Sequence, residues 1–178
     1  MYIKFKKYHE DAVIPKKAYE GDFCYDLVAV SEKEIAPNVW KYGFGFGLQI
    51  NREASNHIEY GYMQYHTEQQ PYIPIKGEFS SIFRLDASSV NLSVDIRPRS
   101  SIWKTGMVLS NSVGTVDEGY TNEISAVFYH INKDLPRYKV GDRVAQMKIG
   151  FTLPCDFKEV EELNKTERNL NGYGSSGK

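Results

Sequence analysis

Two carboxylates of this sequence occupy positions where they could take part in catalysis. Asp117 lies in the segment Gly114-Thr-Val-Asp-Glu-Gly-Tyr120, where a turn signal comes directly before an alternating strand. A carboxylate at such a turn either stabilises the hairpin or faces a cleft and acts as a general base. Asp26, in Cys24-Tyr-Asp-Leu27, is either a turn former or an outer-sphere contact to a metal ion. The residues themselves leave both pairs of alternatives open.

Two other segments carry groups that bind phosphates. Arg97-Pro-Arg-Ser-Ser101 offers guanidinium groups and two hydroxyls around a rigid proline, and a guanidinium fork matches phosphate oxygens. Gly172-Tyr-Gly-Ser-Ser-Gly177 follows Arg168 and could wrap a polyphosphate with amides and hydroxyls while its ring stacks on a base. The alternatives are an exposed strand end for the first segment and a disordered terminus for the second.

A fold made mainly of β-strands has to position these groups. Residues 91–97 and 123–130 alternate apolar and polar side chains, which is typical of half-buried strands. Clusters containing glycine or asparagine interrupt such runs at short intervals: Gly43, Gly45 and Gly47, then residues 111–114 and 139–142. Residues 156–168 hint at a helix, because Phe157, Val160 and Leu163 are three residues apart, but the segment is too short to assign one. The pattern predicts an all-β barrel or sandwich.

Composition indicates a soluble, intracellular protein. The 178 residues are 41% hydrophobic and 25% charged, which is ordinary for one globular domain and excludes collagen and coiled coil. No apolar run approaches the ~20 residues of a membrane helix, and no signal-peptide core is present, so we expect a cytoplasmic location and no membrane contact. Two cysteines are too few for a disulfide scaffold or a four-cysteine zinc site. A net charge of -1 argues against a nucleic-acid coat, but not against one small anionic ligand.

Two segments stand apart from the β pattern. Residues 38–80 are rich in Tyr, Gly and Gln without sharp periodicity, and we interpret them as an insertion that could contact a protein partner. Residues 169–178 are rich in Gly, Ser and Asn, a composition typical of a flexible terminus. We therefore expect a single domain over residues 1–178, with an insertion at about 38–80.

Five segments in a fixed order resemble the motifs of the trimeric deoxyuridine triphosphatase (dUTPase) family. They are Cys24-Tyr-Asp-Leu27, Pro98-Arg-Ser-Ser-Ile-Trp-Lys-Thr-Gly106, Asn111-Ser-Val-Gly-Thr-Val-Asp-Glu-Gly-Tyr-Thr-Asn-Glu-Ile124, Gly141-Asp-Arg-Val-Ala-Gln-Met147 and Arg168-Asn-Leu-Asn-Gly-Tyr-Gly-Ser-Ser-Gly177. The resemblance extends from about Asp22 to the C-terminus, apart from residues 38–80. Five motifs in order are far more specific than any one of them.

The resemblance implies a distorted jelly-roll-like β-barrel, the dUTPase-like β-clip, in a homotrimer with a swapped C-terminal arm. Three active sites at subunit interfaces would each use residues of more than one chain, with residues 165–178 as a flexible lid. The implied reaction is hydrolysis of dUTP to dUMP and pyrophosphate with Mg2+ on the triphosphate. This step belongs to pyrimidine deoxynucleotide metabolism and excludes uracil from DNA.

The resemblance also implies roles for individual residues. Asp117 would deprotonate the water that attacks the α-phosphate, and Asp26 would reach Mg2+ through a coordinated water. The contacts to base and sugar would come from Asn111, Gly114, Val116, Tyr120, Tyr173 and Gly174. The contacts to the phosphates would come from Arg99, Ser100, Ser101, Gln146, Arg168, Ser175 and Ser176.

Three alternatives stay open at this point. A dCTP deaminase of the same fold places a catalytic Glu ten residues beyond the Asp that corresponds to Asp117. Here that position is Val127, which cannot transfer a proton, and the deaminase lacks the Gly-Ser lid. A nucleotide-gated regulatory binding protein would keep the pocket and use residues 38–80 for its partner. A structural jelly roll is the third alternative, and the five ordered motifs argue against it.

Overall fold

The computed structural model describes residues 2–51, 91–152 and 155–166 of the chain. In these ranges the chain forms ten β-strands and one short 3-10 helix, Ser100–Lys104, and contains no α-helix. The strands are β1 Tyr2–Lys7, β2 Cys24–Val28, β3 Ser31–Ala36, β4 Val39–Gly43, β5 Phe46–Asn51, β6 Asn91–Pro98, β7 Met107–Leu109, β8 Gly114–Val116, β9 Ser125–His130 and β10 Arg143–Thr152. The prediction of an all-β protein is confirmed.

The strands form three antiparallel sheets. The first sheet has the order β2-β10-β6-β8, the second has the order β3-β4-β9-β7, and β1 pairs with β5. Buried side chains from all three sheets meet in one core, so the sheets pack as layers in a jelly-roll-like arrangement. Within the described ranges the sheets are open and do not close into a complete barrel.

Aromatic side chains form the centre of the core. Tyr42 and Phe128 are completely buried, and their rings meet edge to face with centroids 5.8 Å apart. Tyr138 meets both rings at steep angles, and its carbonyl accepts a hydrogen bond from the Tyr42 hydroxyl at 2.8 Å. This cluster joins the second sheet to the loop that leads into β10, and so helps to position that strand.

The two strands predicted from alternation lie where the sequence indicates. In β6 every second residue is buried, namely Leu92, Val94 and Ile96. In β9 the buried residues are Ala126 and Phe128. The residues between the buried ones therefore face away from the core. On the first sheet, that outward face carries the candidate site.

The segment predicted as an insertion begins inside the domain. β4 and β5 both fall within residues 38–80, and the core contains Tyr42 of β4, Phe46 of β5 and Phe44 between the two strands. The insertion can therefore start only after β5. The rest of the segment, including its other tyrosines and the predicted partner surface, lies outside the described residues, so that part stays a prediction.

The sequence suggests that Gly43, Gly45 and Gly47 all interrupt the strand pattern, but in the structure these three glycines have different roles. Gly45 has a φ of 69° and makes the turn between β4 and β5. Gly43 lies inside β4, where a Cβ would come within 2.5 Å of side-chain oxygens of Glu123 and Ser31. Gly47 lies inside β5, where a Cβ would overlap the carbonyl of Thr121. Close packing against distant residues, not turn formation, requires these last two glycines.

The end of the chain is extended where it is described. Residues 155–166 are exposed and contain neither helix nor strand, so the hint of a helix over residues 156–168 is not realised in this part. Phe157 is fully exposed. Residues 167–178, which contain most of the predicted lid, lie outside the described ranges. No described helix is long and apolar enough to cross a membrane.

Candidate active site

The candidate site begins on the outer face of the first sheet. Residues directly opposite each other in an antiparallel pair share a face of the sheet. Asp26 of β2 lies opposite Gln146 of β10, and Gln146 lies opposite Arg97 of β6. The next residues along two of these strands, Leu27 and Met147, are buried in the core. The register therefore sets three polar side chains side by side, on the side away from the core.

The carboxylate of Asp26 is held by two guanidinium groups. Nε of Arg99 donates to Oδ1 at 2.8 Å, and Nη1 of Arg143 donates to Oδ2 at 3.0 Å. The side chain of Asp26 is 17% exposed, whereas those of Arg99 and Arg143 are 24% and 54% exposed. Hydrogen bonds between ionised groups are roughly twice as strong as neutral ones, so the three side chains fix one another's positions.

Arg99, Ser100 and Ser101 lie where β6 ends and the 3-10 helix begins. Arg99 precedes the helix, and its carbonyl accepts a hydrogen bond from the Ile102 amide at 3.0 Å. Its Nη1 donates to Oγ of Ser101 at 3.5 Å. Ser100 is exposed and Ser101 is half-buried. Because Asp26 uses Nε and Ser101 one N–H of Nη1, the other N–H groups of Arg99 can bind an anion.

The amide of Gln146 completes this part of the site. Nε2 of Gln146 donates to the carbonyl of Pro98 at 2.8 Å, which leaves the second N–H of the amide for a ligand. Tyr138 is 6% exposed, and its hydroxyl has no hydrogen-bond partner by geometry among the described residues. Burial raises the pKa of this hydroxyl, whereas the nearby Thr105 side chain and, to a smaller extent, the charge of Arg99 act to lower it. Tyr138 belongs to the buried core and does not present its hydroxyl to a ligand.

A second group of predicted residues lies in the segment between β7 and β9. Asn111 begins the turn after β7, and its Nδ2 would lie 2.9 Å from a Cβ placed on Gly114. Ser112 adopts a positive φ of 59° in this turn. Val116 ends β8 and pairs with Val94 of β6. A tight turn with a glycine at its exit lets the edge of a ligand approach the backbone closely.

Asp117 directly follows β8 and is exposed. Its carbonyl accepts a hydrogen bond from the Tyr120 amide at 2.9 Å, and the Tyr120 hydroxyl donates to the carbonyl of Glu123 at 2.9 Å. Oε1 of Glu123 in turn accepts from the amide of Gly45 at 2.9 Å. The turn is therefore fixed to the domain, while the Asp117 carboxylate has no polar partner among the described side chains and can bind a water.

The two groups of residues lie far apart within one chain. Asp26 is on β2 at one edge of the first sheet, and Asp117 follows β8 at the other edge. Across the sheet, three strand-to-strand spacings separate the two positions. Along the strands they differ by four residues, because Asp26 is level with Gln146 of β10, whereas Asp117 follows Val116 and is level with Gly150 of β10. At about 4.8 Å per strand and about 3.4 Å per residue, their Cα atoms are roughly 20 Å apart. The predicted site residues therefore form two separate groups within one chain.

Arg143 is a member of the first group that the sequence pattern does not reveal. Strict alternation counted back from Gln146 would turn Arg143 toward the core. Instead, the pairing of β10 with β2 shifts in register between Arg143 and Ala145, and the consecutive residues Val144 and Ala145 are both completely buried. A β-bulge of this kind re-aims a side chain. Two signals in the sequence point to it, namely the adjacent apolar pair Val144-Ala145 and the place of Arg143 inside the fourth motif.

The remaining predicted residues belong to the lid. Arg168, Tyr173, Gly174, Ser175 and Ser176 lie outside the described ranges, so their roles stay predictions. Among the described residues, no group of three or more His, Cys, Asp or Glu side chains gathers as a metal site.

Comparison with known sequences identifies relatives along the whole chain. Residues 75–177, more than half of the chain, match the family model described as dUTPase. The deoxyuridine 5'-triphosphate nucleotidohydrolase of Clostridium novyi (strain NT) is 31% identical over 179 residues, and the alignment covers 99% of this chain and 99% of that protein.

Solved structures share the fold. A mutant dUTPase of Staphylococcus bacteriophage 80alpha with dUpNHpp has a TM-score of 0.68 at 16% identity, covering 99% of this chain and 98% of that one. A mutant dUTPase from phage phi11 of S. aureus, studied for the coordination of a structural Mg(II) ion, has a TM-score of 0.59 at 14% identity. That match covers 91% of this chain and 98% of the other. These likenesses confirm the predicted jelly-roll-like fold.

Proposed function

The chain belongs to the dUTPase family, and on that premise we propose that it hydrolyses dUTP to dUMP and pyrophosphate with Asp117 as general base. The observation that carries the proposal is the cluster on the outer face of the first sheet. Three of the five motifs contribute to it, through Asp26, Arg99 and Gln146. Its partly exposed guanidinium and amide donors suit a polyanion such as a triphosphate.

The proposed reaction is an in-line attack of water on the α-phosphorus. The bond between that phosphorus and the oxygen bridging to the β-phosphate breaks, and pyrophosphate leaves. Asp117 takes the proton of the attacking water, a role that its exposed and otherwise unpartnered carboxylate can perform. The turn closed by Tyr120 holds that carboxylate in position, and positioning supplies much of the acceleration in phosphoryl transfer.

The phosphates bind to the first group of residues. Arg99 keeps free N–H groups because Asp26 uses only its Nε and Ser101 one N–H of Nη1, and Gln146 keeps one N–H beside it. Ser100 and Ser101 add hydroxyls at the start of the 3-10 helix. The lid adds Arg168, Ser175 and Ser176 when it closes, which excludes water and strengthens the charged contacts.

The base and sugar bind to the hairpin between β7 and β9. Asn111, Gly114 and Val116 supply the edge that reads uracil, and the tight turn leaves no room for the methyl group of thymine. Tyr120 packs under the deoxyribose, where a 2′-hydroxyl would clash. Tyr173 of the lid stacks on the base, a contact worth about 1–3 kcal/mol, and Gly174 lets the backbone approach.

A magnesium ion fits this donor set as a partner of the nucleotide. Each oxygen of Asp26 already accepts one guanidinium hydrogen bond, so two cations oppose direct binding of a third at this carboxylate. Each oxygen keeps a second lone pair, which can accept a hydrogen bond from a metal-bound water. When bound, Mg2+ would neutralise charge on the triphosphate as it moves to the leaving pyrophosphate.

We also propose that the active unit is a homotrimer with shared sites. Each chain would form a single domain, and the protein would be located in the cytoplasm. The separation of roughly 20 Å between Asp26 and Asp117 supports shared sites, because a second copy of the chain must then supply one of the two carboxylates. The insertion would begin after β5 and the lid would span residues 165–178.

The proposal is tested by measuring pyrophosphate release from dUTP by the wild type, Asp117→Asn and a matched control, Asp134→Asn. Asp134 is an exposed carboxylate in another loop, so its replacement should leave activity unchanged. Loss of the general base should lower kcat by about a hundredfold to ten-thousandfold. dTTP and UTP should not be hydrolysed.

Parallel assays with dCTP separate this function from that of a deaminase. Release of ammonia from dCTP, without pyrophosphate from dUTP, would overturn the proposal. The position that carries the deaminase glutamate is occupied by Val127 on β9, a half-buried side chain that cannot transfer protons. We therefore expect no ammonia.

A further inference from the structure

Arg143 is a charged residue beside the phosphate cluster that the proposed reaction does not use. We propose that Arg143 neutralises Asp26 and thereby leaves the charge of Arg99 for the phosphates of the nucleotide. The inference rests on the proposed function, because it takes the triphosphate of a nucleotide as the ligand. It assigns Arg143 a positioning and electrostatic role, and the contribution of Arg143 to binding affinity should increase with the number of phosphates on the ligand.

The bonding of Asp26 supports this division of roles. Oδ1 accepts from Arg99 and Oδ2 accepts from Arg143, so neither guanidinium displaces the other. Asp26 and Arg99 are both largely shielded from water, with 17% and 24% of their side chains exposed. Charges in such positions are screened less than those at the surface. The charge of Asp26 therefore has to be balanced locally.

The balance of charge differs with and without Arg143. Asp26 and Arg99 alone form a pair with no net charge, which would attract a polyanion weakly. With Arg143 the three side chains carry a net charge of one positive unit. Arg97, which lies opposite Gln146, does not replace this charge because it is paired with Asp95 at 3.1 Å. Arg143 is thus the member of the cluster that makes it positive.

The β-bulge in β10 places Arg143 for this role. Without the register shift between Arg143 and Ala145, the side chain would turn toward the core and Asp26 would bind one guanidinium only. The bulge leaves Val144 and Ala145 buried and sets Arg143 on the same face as Asp26 and Gln146. The arginine is also 54% exposed, so its remaining N–H groups face solvent and can meet an anion.

The test measures the affinity of four ligands that differ in charge: deoxyuridine, dUMP, a non-hydrolysable dUTP analogue with an α,β-imido bridge, and inorganic tripolyphosphate. Calorimetry compares the wild type with Arg143→Gln and Arg143→Lys, and with Lys133→Gln as a matched control. Lys133 is an exposed cation in a separate loop, so its removal changes the net charge of the protein equally without touching the cluster.

Arg143→Gln should bind the imido analogue and tripolyphosphate about fivefold more weakly, the upper value for one partly exposed charge–charge contact. The loss for dUMP should be smaller, and deoxyuridine should bind as it does to the wild type. Arg143→Lys keeps the charge and should stay within about twofold of the wild type. Salt should reduce the difference between wild type and Arg143→Gln, because mobile ions screen the added charge.

Three results would overturn the inference. An equal loss for deoxyuridine and the imido analogue would mean that Arg143 only supports the fold. Unchanged binding of both polyphosphates would mean that its charge does not reach them. A loss in Arg143→Lys as large as in Arg143→Gln would show that charge is not the relevant property.

The proposed function can fail separately from this inference. If the wild type does not hydrolyse dUTP but tripolyphosphate binding still falls in Arg143→Gln, the activity is wrong and the charge assignment stands. If the wild type hydrolyses dUTP and Arg143→Gln binds every ligand normally, the activity stands and the inference is wrong. The unfolding free energy of each variant is measured alongside, so that a folding defect is recognised.

Discussion

Nε of Arg99 donates to Oδ1 of Asp26 at 2.8 Å, across 73 positions of the sequence. This bond sets the direction of the whole guanidinium group, because the group is planar and its five N–H donors have fixed geometry. The side chain that would bind phosphate is therefore oriented before any ligand arrives. Preorganised donors of this kind need little rearrangement when charge develops in a transition state.

We predict that Arg99→Lys lowers kcat/KM for dUTP by about a hundredfold, in the range that one well-placed donor supplies. Lysine keeps the charge, but it cannot donate to Asp26, to Ser101 and to a phosphate in the fixed geometry of a guanidinium. Steady-state assays of pyrophosphate release measure the effect, and the control is Lys104→Arg, a charge-conserving change at an exposed residue of the 3-10 helix. Full activity of Arg99→Lys would mean that charge alone is needed here.

We predict that magnesium binds with the nucleotide and not to the free protein. The described residues contain no cluster of three metal-ligating side chains, and two guanidinium groups flank Asp26. Mg2+ is usually held by one or two carboxylates together with substrate phosphates. In thermal unfolding, Mg2+ alone should leave the Tm unchanged, whereas Mg2+ with the imido analogue should raise it above the analogue alone. A clear rise in Tm with the metal alone would contradict this expectation.

The sequence predicts local features of this fold well. Alternation marks β6 and β9, where every second residue is buried, because a side-chain period of two is the direct consequence of strand geometry. The turn after β8, which begins at Asp117, is also predictable from local sequence, since the Tyr120 amide that closes it is only three residues away.

Features that depend on distant residues are not predictable in the same way. The glycine-rich stretch of β4 and β5 reads as an insertion, but Gly43 is required by Glu123 and Ser31, which are remote in sequence. The bulge that brings Arg143 to Asp26 depends on the pairing of β10 with β2. The separation of the site into two groups likewise follows from strand order and not from any motif.

We predict that the ion pair between Glu32 and Arg137 stabilises the fold in a pH-dependent way. Nη2 of Arg137 donates to Oε1 of Glu32 at 2.9 Å. The guanidinium group of Arg137 also lies over the ring of Trp40, with its central carbon 3.6 Å from the ring centroid. The hydrogen bond from Arg137 lowers the pKa of Glu32 from its ordinary value of 4.5, although burial acts in the opposite direction. Since the pKa is lowered in the folded state, the stabilisation is present above pH 4.5 and is lost as the pH falls through the lowered pKa.

Denaturant unfolding of Glu32→Gln at two pH values measures this contribution. At pH 7 the variant should be less stable than the wild type by about 1–2 kcal/mol, a value for a charged hydrogen bond that is only partly shielded from water. At a pH well below the lowered pKa the difference should disappear, because the wild-type carboxyl is then protonated. The exposed Glu20→Gln serves as the control. An equal difference at both pH values would assign the effect to packing.

We predict that Gly106→Ala destabilises the protein by about 1–3 kcal/mol, the usual cost of overpacking. Gly106 is buried, and a Cβ there would overlap the backbone carbonyl of Asn132, which cannot move as a side chain could. The carbonyl of Gly106 also accepts hydrogen bonds from the amides of Ile131 and Asn132, so a shift of the loop would break both. Chemical denaturation measures the change. Gly21→Ala is the matched control, because a Cβ there meets no atom within 4 Å.

The distance between Asp26 and Asp117 leads to a test of shared sites by mixing subunits. Arg99→Ala lacks the phosphate donor beside Asp26, and Asp117→Asn lacks the base at the other edge of the sheet, so each homotrimer alone should be inactive. If a site takes Arg99 from one chain and Asp117 from another, trimers reassembled from both variants contain some complete sites. Random assembly of equal amounts then gives about a quarter of the wild-type activity per site, since each of the two residues is intact with a chance of about one half.

Pyrophosphate release after joint refolding measures the recovery, and the two variants refolded separately and then combined at low temperature are the control. If Arg99 and Asp117 of the same chain served one triphosphate, no reassembled trimer could regain activity, because every chain would lack one of these two groups.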